Sequence, residues 1–159
     1  MKHPLLIALP CYALDQATKW WIVQHIEYDA ERWTIIPGFF DLVHWGNTGA
    51  AFSAFSNSNL FFTLLSAVTF AGLLIYWARG GFREPLYRWG VGLLMGGILG
   101  NVTDRLNPAR HHVVDFLLFN LHVPWADPWP AFNVADSCIC VAVGLFLIAG
   151  YRESKVQAK

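Results

Sequence analysis

Residues 60–77 read Leu-Phe-Phe-Thr-Leu-Leu-Ser-Ala-Val-Thr-Phe-Ala-Gly-Leu-Leu-Ile-Tyr-Trp, with no charged side chain among them. A helix needs about 20 apolar residues to cross the hydrocarbon of a bilayer, and this run has nearly that length. The rest of the chain has the same character. Hydrophobic residues make up 55% of its 159 residues and charged residues 14%, against ~25% charged in soluble domains. Too few charges remain to cover a water-facing surface, so lipid is the expected solvent. Eight Trp and five Tyr suit a protein with two membrane–water interfaces, where amphipathic rings settle. A net charge of zero leaves no basic surface for nucleic acid, and none is expected as a partner.

Working outward, three more apolar segments appear, at about 5–23, 89–103 and 132–150. The first contains Pro10, Asp15 and Lys19. The third in chain order is short and glycine-rich, and the last carries one charge, Asp136. Residues 24–59 and 104–131 form long loops, and residues 78–88 a short basic one. Within the first long loop, Trp33–Ile36 and Phe39–Trp45 have β-like composition around a Pro37-Gly38 turn. The expected fold is an all-α membrane protein of one domain, residues 1–159, with four transmembrane helices, a small periplasmic β-cradle and an interfacial loop.

Orientation follows from the basic residues. Lys2, Arg79, Arg83, Arg88, Arg152, Lys155 and Lys159 lie at the termini and in the short loop, and only Arg32, Arg105 and Arg110 in the long loops. Both termini are therefore expected in the cytoplasm, and the long loops outside.

Gly92, Gly96 and Gly100 at four-residue spacing make a smooth helical stripe on which a neighbouring backbone can pack closely. Cys11, Cys138 and Cys140 sit in apolar runs without metal spacing and read as small hydrophobes. The run before Cys11 is short for a secretory h-region, so the first segment is expected to be a retained helix.

The informative residues are those that lipid should exclude. A carboxylate at the bilayer centre costs roughly 2.5–3.5 kcal/mol, so it usually has a function or a partner. Asp15, Asp104, Asp115 and Asp136 all lie in or beside apolar segments. Asn133 precedes Asp136 by three residues, on the same helical face. Asp115 lies 21 residues before Asp136, within Val113-Val114-Asp115-Phe116-Leu117-Leu118. The two meet only if the loop folds back onto the helices. Two carboxyls in a low-dielectric site share a proton, and such a pair can activate water and protonate a leaving amine. A structural polar contact or an ion or proton path remains open on these grounds alone. Asn101, Asp104 and Arg105 fall on one face, where Arg105 could pair with Asp104 or hold a carbonyl or phosphate. Asp15 and Lys19, at i and i+4, can form an ion pair. His111, His112 and His122 read as solvated loop residues. No His-Glu-x-x-His, Cys/His tetrad or Gly-x-Ser-x-Gly pattern occurs, and no metal is expected.

Five stretches, in chain order, resemble the lipoprotein signal peptidases. They are Asp15-Gln16-Ala17-Thr18-Lys19, Asn47-Thr48-Gly49-Ala50-Ala51-Phe52, Gly100-Asn101-Val102-Thr103-Asp104-Arg105, Val113-Val114-Asp115-Phe116 and Phe132-Asn133-Val134-Ala135-Asp136-Ser137. The resemblance spans almost the whole chain. It implies an intramembrane aspartyl endopeptidase of the bacterial inner membrane, using no cofactor and cutting diacylglyceryl-modified prolipoproteins before the lipidated cysteine. It implies Asp115 and Asp136 as catalytic residues. Asn47, Gly49, Asn101, Arg105 and Asn133 would line the substrate site, and Asp15 would support it. Lys19 and Asp104 belong to the same motifs as supporting residues. A monomer in contact with membrane lipid is expected. Phe52, Phe55, Trp125 and Trp129 are candidates to shield the site. The link Leu106-Asn-Pro-Ala-Arg-His-His112 departs from the family pattern, being slightly long and lacking a glycine before Val113. The alternative from a different class is a small proton- or ion-coupled transporter using the same buried carboxylates.

Overall fold

The computed structural model describes residues 4–30, 32–49, 58–124 and 127–157. Its elements in order are α1 (Leu5–His25), β1 (Trp33–Ile36), β2 (Phe40–Asn47), α2 (Asn59–Ala78), α3 (Pro85–Leu106), β3 (Val113–Phe119) and α4 (Val134–Gln157). The architecture is mostly helical, with one small antiparallel sheet ordered β1-β2-β3.

The third helix is longer than its apolar run. Glu84 caps it by accepting from Tyr87 N at 3.0 Å, with Pro85 in the first turn. The helix then continues to Leu106 because its last turns bury Asn101, Asp104 and Arg105 inward. The fourth helix likewise runs on through the polar tail to Gln157.

Among the described residues two helices, α2 and α4, are long and apolar enough to cross a membrane. No residue of α2 is buried, and Leu60, Phe61, Leu64 and Val68 face outward. A helix apolar on all sides, with none of its residues fully buried by protein, requires an apolar solvent. The other two helices carry the charged groups that the bundle encloses.

The central helix is α3, packed against α1, α4 and, on a smaller area, α2. Apolar burial drives little helix association in lipid, so close packing and polar contacts must hold such a bundle together. The glycine stripe supplies that closeness. A Cβ at Gly92 would stand 2.6 Å from Ile7 Cβ, and one at Gly96 would stand 2.8 Å from the Ala8 carbonyl oxygen. A Cβ at Gly100 would strike the Asp15 carboxylate.

The sheet begins at Pro37-Gly38. Phe39 N donates to Ile36 O at 3.0 Å, and Gly38 has φ +72°, the conformation that a type II turn demands of glycine at this position. β2 extends two residues past the expected Trp45, which carries Asn47 into the site. The unforeseen element is β3. The run around Asp115 was expected as an apolar loop segment, but it pairs with β2, placing Trp45 opposite Asp115 and Asn47 opposite Val113. Val114 and Phe116 pack with Ile22 of α1 and with Ile26 just after it, and dock the sheet on the helix end. Strand alternation turns Asp115 to the other side. His111 supplies the left-handed turn before β3, at φ +55°, where the sequence lacks the expected glycine.

Candidate active site

The site lies where the C-terminal end of α3, the N-terminal end of α4, the sheet and the middle of α1 converge. Asn133 begins α4 with a reciprocal cap. Asp136 N donates to Asn133 Oδ1 at 2.9 Å, and Asn133 N donates to Asp136 Oδ2 at 3.2 Å, the geometry of a capping box. The Asn133 side-chain amide then donates to Asp115 Oδ1 at 2.7 Å. One asparagine therefore holds both carboxyl groups, and the loop does fold back as the sequence required.

Each carboxyl oxygen of the pair accepts one hydrogen bond from an uncharged group. Asn47 Nδ2 donates to Asp115 Oδ2 at 3.0 Å, and Asn101 Nδ2 to Asp136 Oδ1 at 2.8 Å. A carboxylate has about four lone-pair positions, so each oxygen keeps capacity for a proton or a water. Asp115 is buried, and Asp136 is partly open. Burial first, and the Asp136 charge second, push the Asp115 carboxyl up to about 7, against the opposing bonds from Asn47 and Asn133.

The cation stands behind the asparagines. Lys19 Nζ lies 2.9 Å from Asp15 Oδ2 and 2.9 Å from Asp104 Oδ2, and it donates to Asn101 Oδ1 at 3.0 Å. All three ammonium protons are thereby engaged. Asp15 Oδ1 also accepts from Ala135 N at 2.8 Å, tying α1 to the first turn of α4. Asp104 Oδ2 accepts from Val114 N at 3.1 Å, tying α3 to β3. Asp104 thus pairs with Lys19 rather than with Arg105. The Arg105 guanidinium instead donates to Gly49 O at 3.0 Å and lies 5.4 Å from the Phe62 ring centroid. Gly49 N in turn donates to Asn47 Oδ1 at 2.9 Å. A continuous polar chain therefore joins residues from all five motifs.

Three participants escaped the sequence reading. Gln16 Nε2 donates to Asp15 Oδ2 at 3.1 Å and to Gly100 O at 3.2 Å. Its only sequence signal was its place beside Asp15. Arg110 approaches Asp104 Oδ1 at 3.5 Å, through a link whose path no local pattern predicts. His112 is half-buried against Tyr28, with ring centroids 5.3 Å apart, so it is not the solvated residue expected. His111 and His122 are exposed as expected. Phe52, Phe55 and Trp125 lie outside the described residues. Among the described residues no cluster of three His, Cys, Asp or Glu forms a metal site.

Comparison with known proteins gives a consistent result. A family model described as "Signal peptidase (SPase) II" matches residues 7–152. The chain is 43% identical over 145 residues to a lipoprotein signal peptidase of Symbiobacterium thermophilum, covering 91% of each chain. It is 40% identical over 158 residues to one from Neisseria meningitidis, covering 96% of this chain and 90% of the other. Among solved structures, a bacterial membrane enzyme superposes with a TM-score of 0.84 at 28% identity, over 95% of this chain and 88% of that one.

Proposed function

The chain belongs to the signal peptidase II family, and from that premise we propose that Asp115 and Asp136 are the acid–base pair of its peptide hydrolysis. As a member of this family it is a membrane protease that removes signal peptides from prolipoproteins. The observation that carries the dyad is Asn133, which donates to Asp115 at 2.7 Å and to Asp136 at 3.2 Å.

Charge balance favours one proton on the pair. With both ionised, four carboxylates would face three cations, the Lys19 ammonium and the Arg105 and Arg110 guanidiniums, around a largely buried volume, and one proton evens the count. Two adjacent carboxyls in such a site share a proton. The ionised member takes a proton from water, which attacks the scissile carbonyl. The protonated member hydrogen-bonds the carbonyl oxygen and then supplies the leaving amine. The neutral amides of Asn47, Asn101 and Asn133 orient the carboxyls without providing a cation that would strip the shared proton. Lys19 acts one bond further back, fixing Asn101, with Asp15 and Asp104 balancing its charge.

The remaining features complete the reading. Four helices span the bacterial inner membrane once each, in a single domain with both termini cytoplasmic and the sheet on the periplasmic side. The polar faces of α1 and α3 are enclosed by the bundle, which reconciles their charges with lipid. The substrate carries diacylglycerol on its cysteine. Arg105 holds the Gly49 carbonyl beside the site, and a monomer suffices.

The test is cleavage of a diacylglyceryl-modified precursor by purified protein. Asp115→Asn and Asp136→Asn should each abolish cleavage while the protein stays folded. Normal turnover by Asp136→Asn would remove the dyad. Equal cleavage of an unmodified precursor would remove the lipid requirement.

A further inference from the structure

At the end of the bundle opposite the dyad lies a cavity of about 870 Å³. It is formed by the end of α2, the α2–α3 connection and the last turns of α4, and Arg79, Arg83, Tyr76, Tyr87, Glu84 and Glu153 line it. Its volume falls in the range of small-molecule sites, and nothing in the peptidase chemistry uses it.

The walls are built rather than loose. The Tyr76 and Phe82 rings meet edge to face with centroids 4.6 Å apart, and the Gly81 backbone lies on the Tyr76 ring. Arg88 Nε donates to Phe82 O at 2.9 Å, fixing the connection from below. Both acids are engaged by Tyr87. Its backbone N–H donates to Glu84 and its hydroxyl to Glu153, each at 3.0 Å. The arginines are the free charges. Among the described residues the Arg79 guanidinium has no hydrogen-bond or ion-pair partner, and Arg83 makes one long bond, Nε to Gly80 O at 3.5 Å.

We propose that this cavity binds the phosphate headgroup of an anionic phospholipid. The inference rests on the transmembrane placement proposed above. A helix of 20 residues is about 30 Å long, matching the ~30 Å hydrocarbon core. Arg79, directly after α2, therefore sits at headgroup depth when Asn59 sits at the other interface. Exposed Tyr76, Trp89 and Tyr151 surround this end, as interfacial rings do. Guanidinium groups bind phosphate with paired hydrogen bonds.

Binding is read by tryptophan fluorescence and thermal unfolding of delipidated protein in dodecyl maltoside micelles doped with phosphatidylglycerol or phosphatidylcholine. Phosphatidylglycerol should bind saturably and raise Tm, and phosphatidylcholine should not. Arg79→Gln/Arg83→Gln should weaken that binding roughly 30-fold, about 2 kcal/mol for two arginines at a charged membrane surface. Arg79→Lys/Arg83→Lys should stay within a few-fold of wild type. Wild-type lipid preference in the Gln variant would overturn the proposal. Glycerol phosphate binding as tightly as the lipid would also overturn it, in favour of a soluble phosphate ester. Precursor cleavage in the same micelles should be unchanged by the Gln variant. Loss of lipid binding by Asp136→Asn is not expected, so failure here and failure of the dyad are separable.

Discussion

Replacing Lys19 by Met removes the cation at the centre of the polar chain while keeping a long side chain in place. Lys19 is 1% exposed, and Asp15 and Asp104 are fully buried. Each carboxylate loses an ammonium contact at 2.9 Å. Breaking one side of a buried ion pair costs about 3–5 kcal/mol, because the remaining charge stays buried. Two partners are stranded here, but each retains a backbone donor, Ala135 N for Asp15 and Val114 N for Asp104. Arg110, at 3.5 Å from Asp104, offers partial replacement. The expected loss is therefore about 3–5 kcal/mol rather than twice that, read by unfolding in mixed detergent micelles. Activity should fall as well. Asn101 loses the contact that orients its amide toward Asp136, and the effect should appear in kcat more than in KM. The double variant Lys19→Met/Asp104→Asn should recover more than 1 kcal/mol, since an amide at 104 needs no counter-charge and its oxygen can still accept from Val114 N. A Lys19→Met protein within about 1 kcal/mol of wild type would refute the reasoning. So would a double variant less stable than the single.

Further predictions follow from the same contacts. Asn133→Ala removes the α4 cap and the shared donor. It should cost about 1–2 kcal/mol in stability and on the order of 10²–10³-fold in kcat, measured by unfolding and by precursor cleavage. Gly100→Ala pushes a methyl into the Asp15 carboxylate. It should destabilise by about 1–3 kcal/mol, whereas Gly72→Ala, in open space, should not. The Asp115 carboxyl, raised to about 7 by burial and the Asp136 charge, sets two pH effects. The folded protein holds a proton that the unfolded chain loses near 4. Stability should therefore fall as pH rises from about 4 to about 7 and then level off, and an Asp115→Asn variant should lack this slope. The alkaline limb of kcat/KM should likewise report the pair's proton leaving near pH 7.

Much of this protein was legible in its residues. The uncharged 60–77 run and the low charge content require an apolar solvent. The 92-96-100 glycine spacing foretold the close approach of α1, and Pro37-Gly38 foretold the hairpin. Asp15 and Lys19 announced their pairing because helix geometry places i and i+4 together. These are local rules, set by periodicity and transfer energy. Asp115 and Asp136, 21 residues apart, could not be joined by any such rule. Their meeting depends on β3 adding to β2, on Val114 and Phe116 docking against Ile22 and Ile26, and on Asn133 capping one helix while reaching the strand. Lys19 choosing Asp104, and Arg105 choosing the Gly49 carbonyl, also waited on tertiary structure. Polar groups buried together select partners by three-dimensional proximity and complete hydrogen bonding, and sequence separation carries neither.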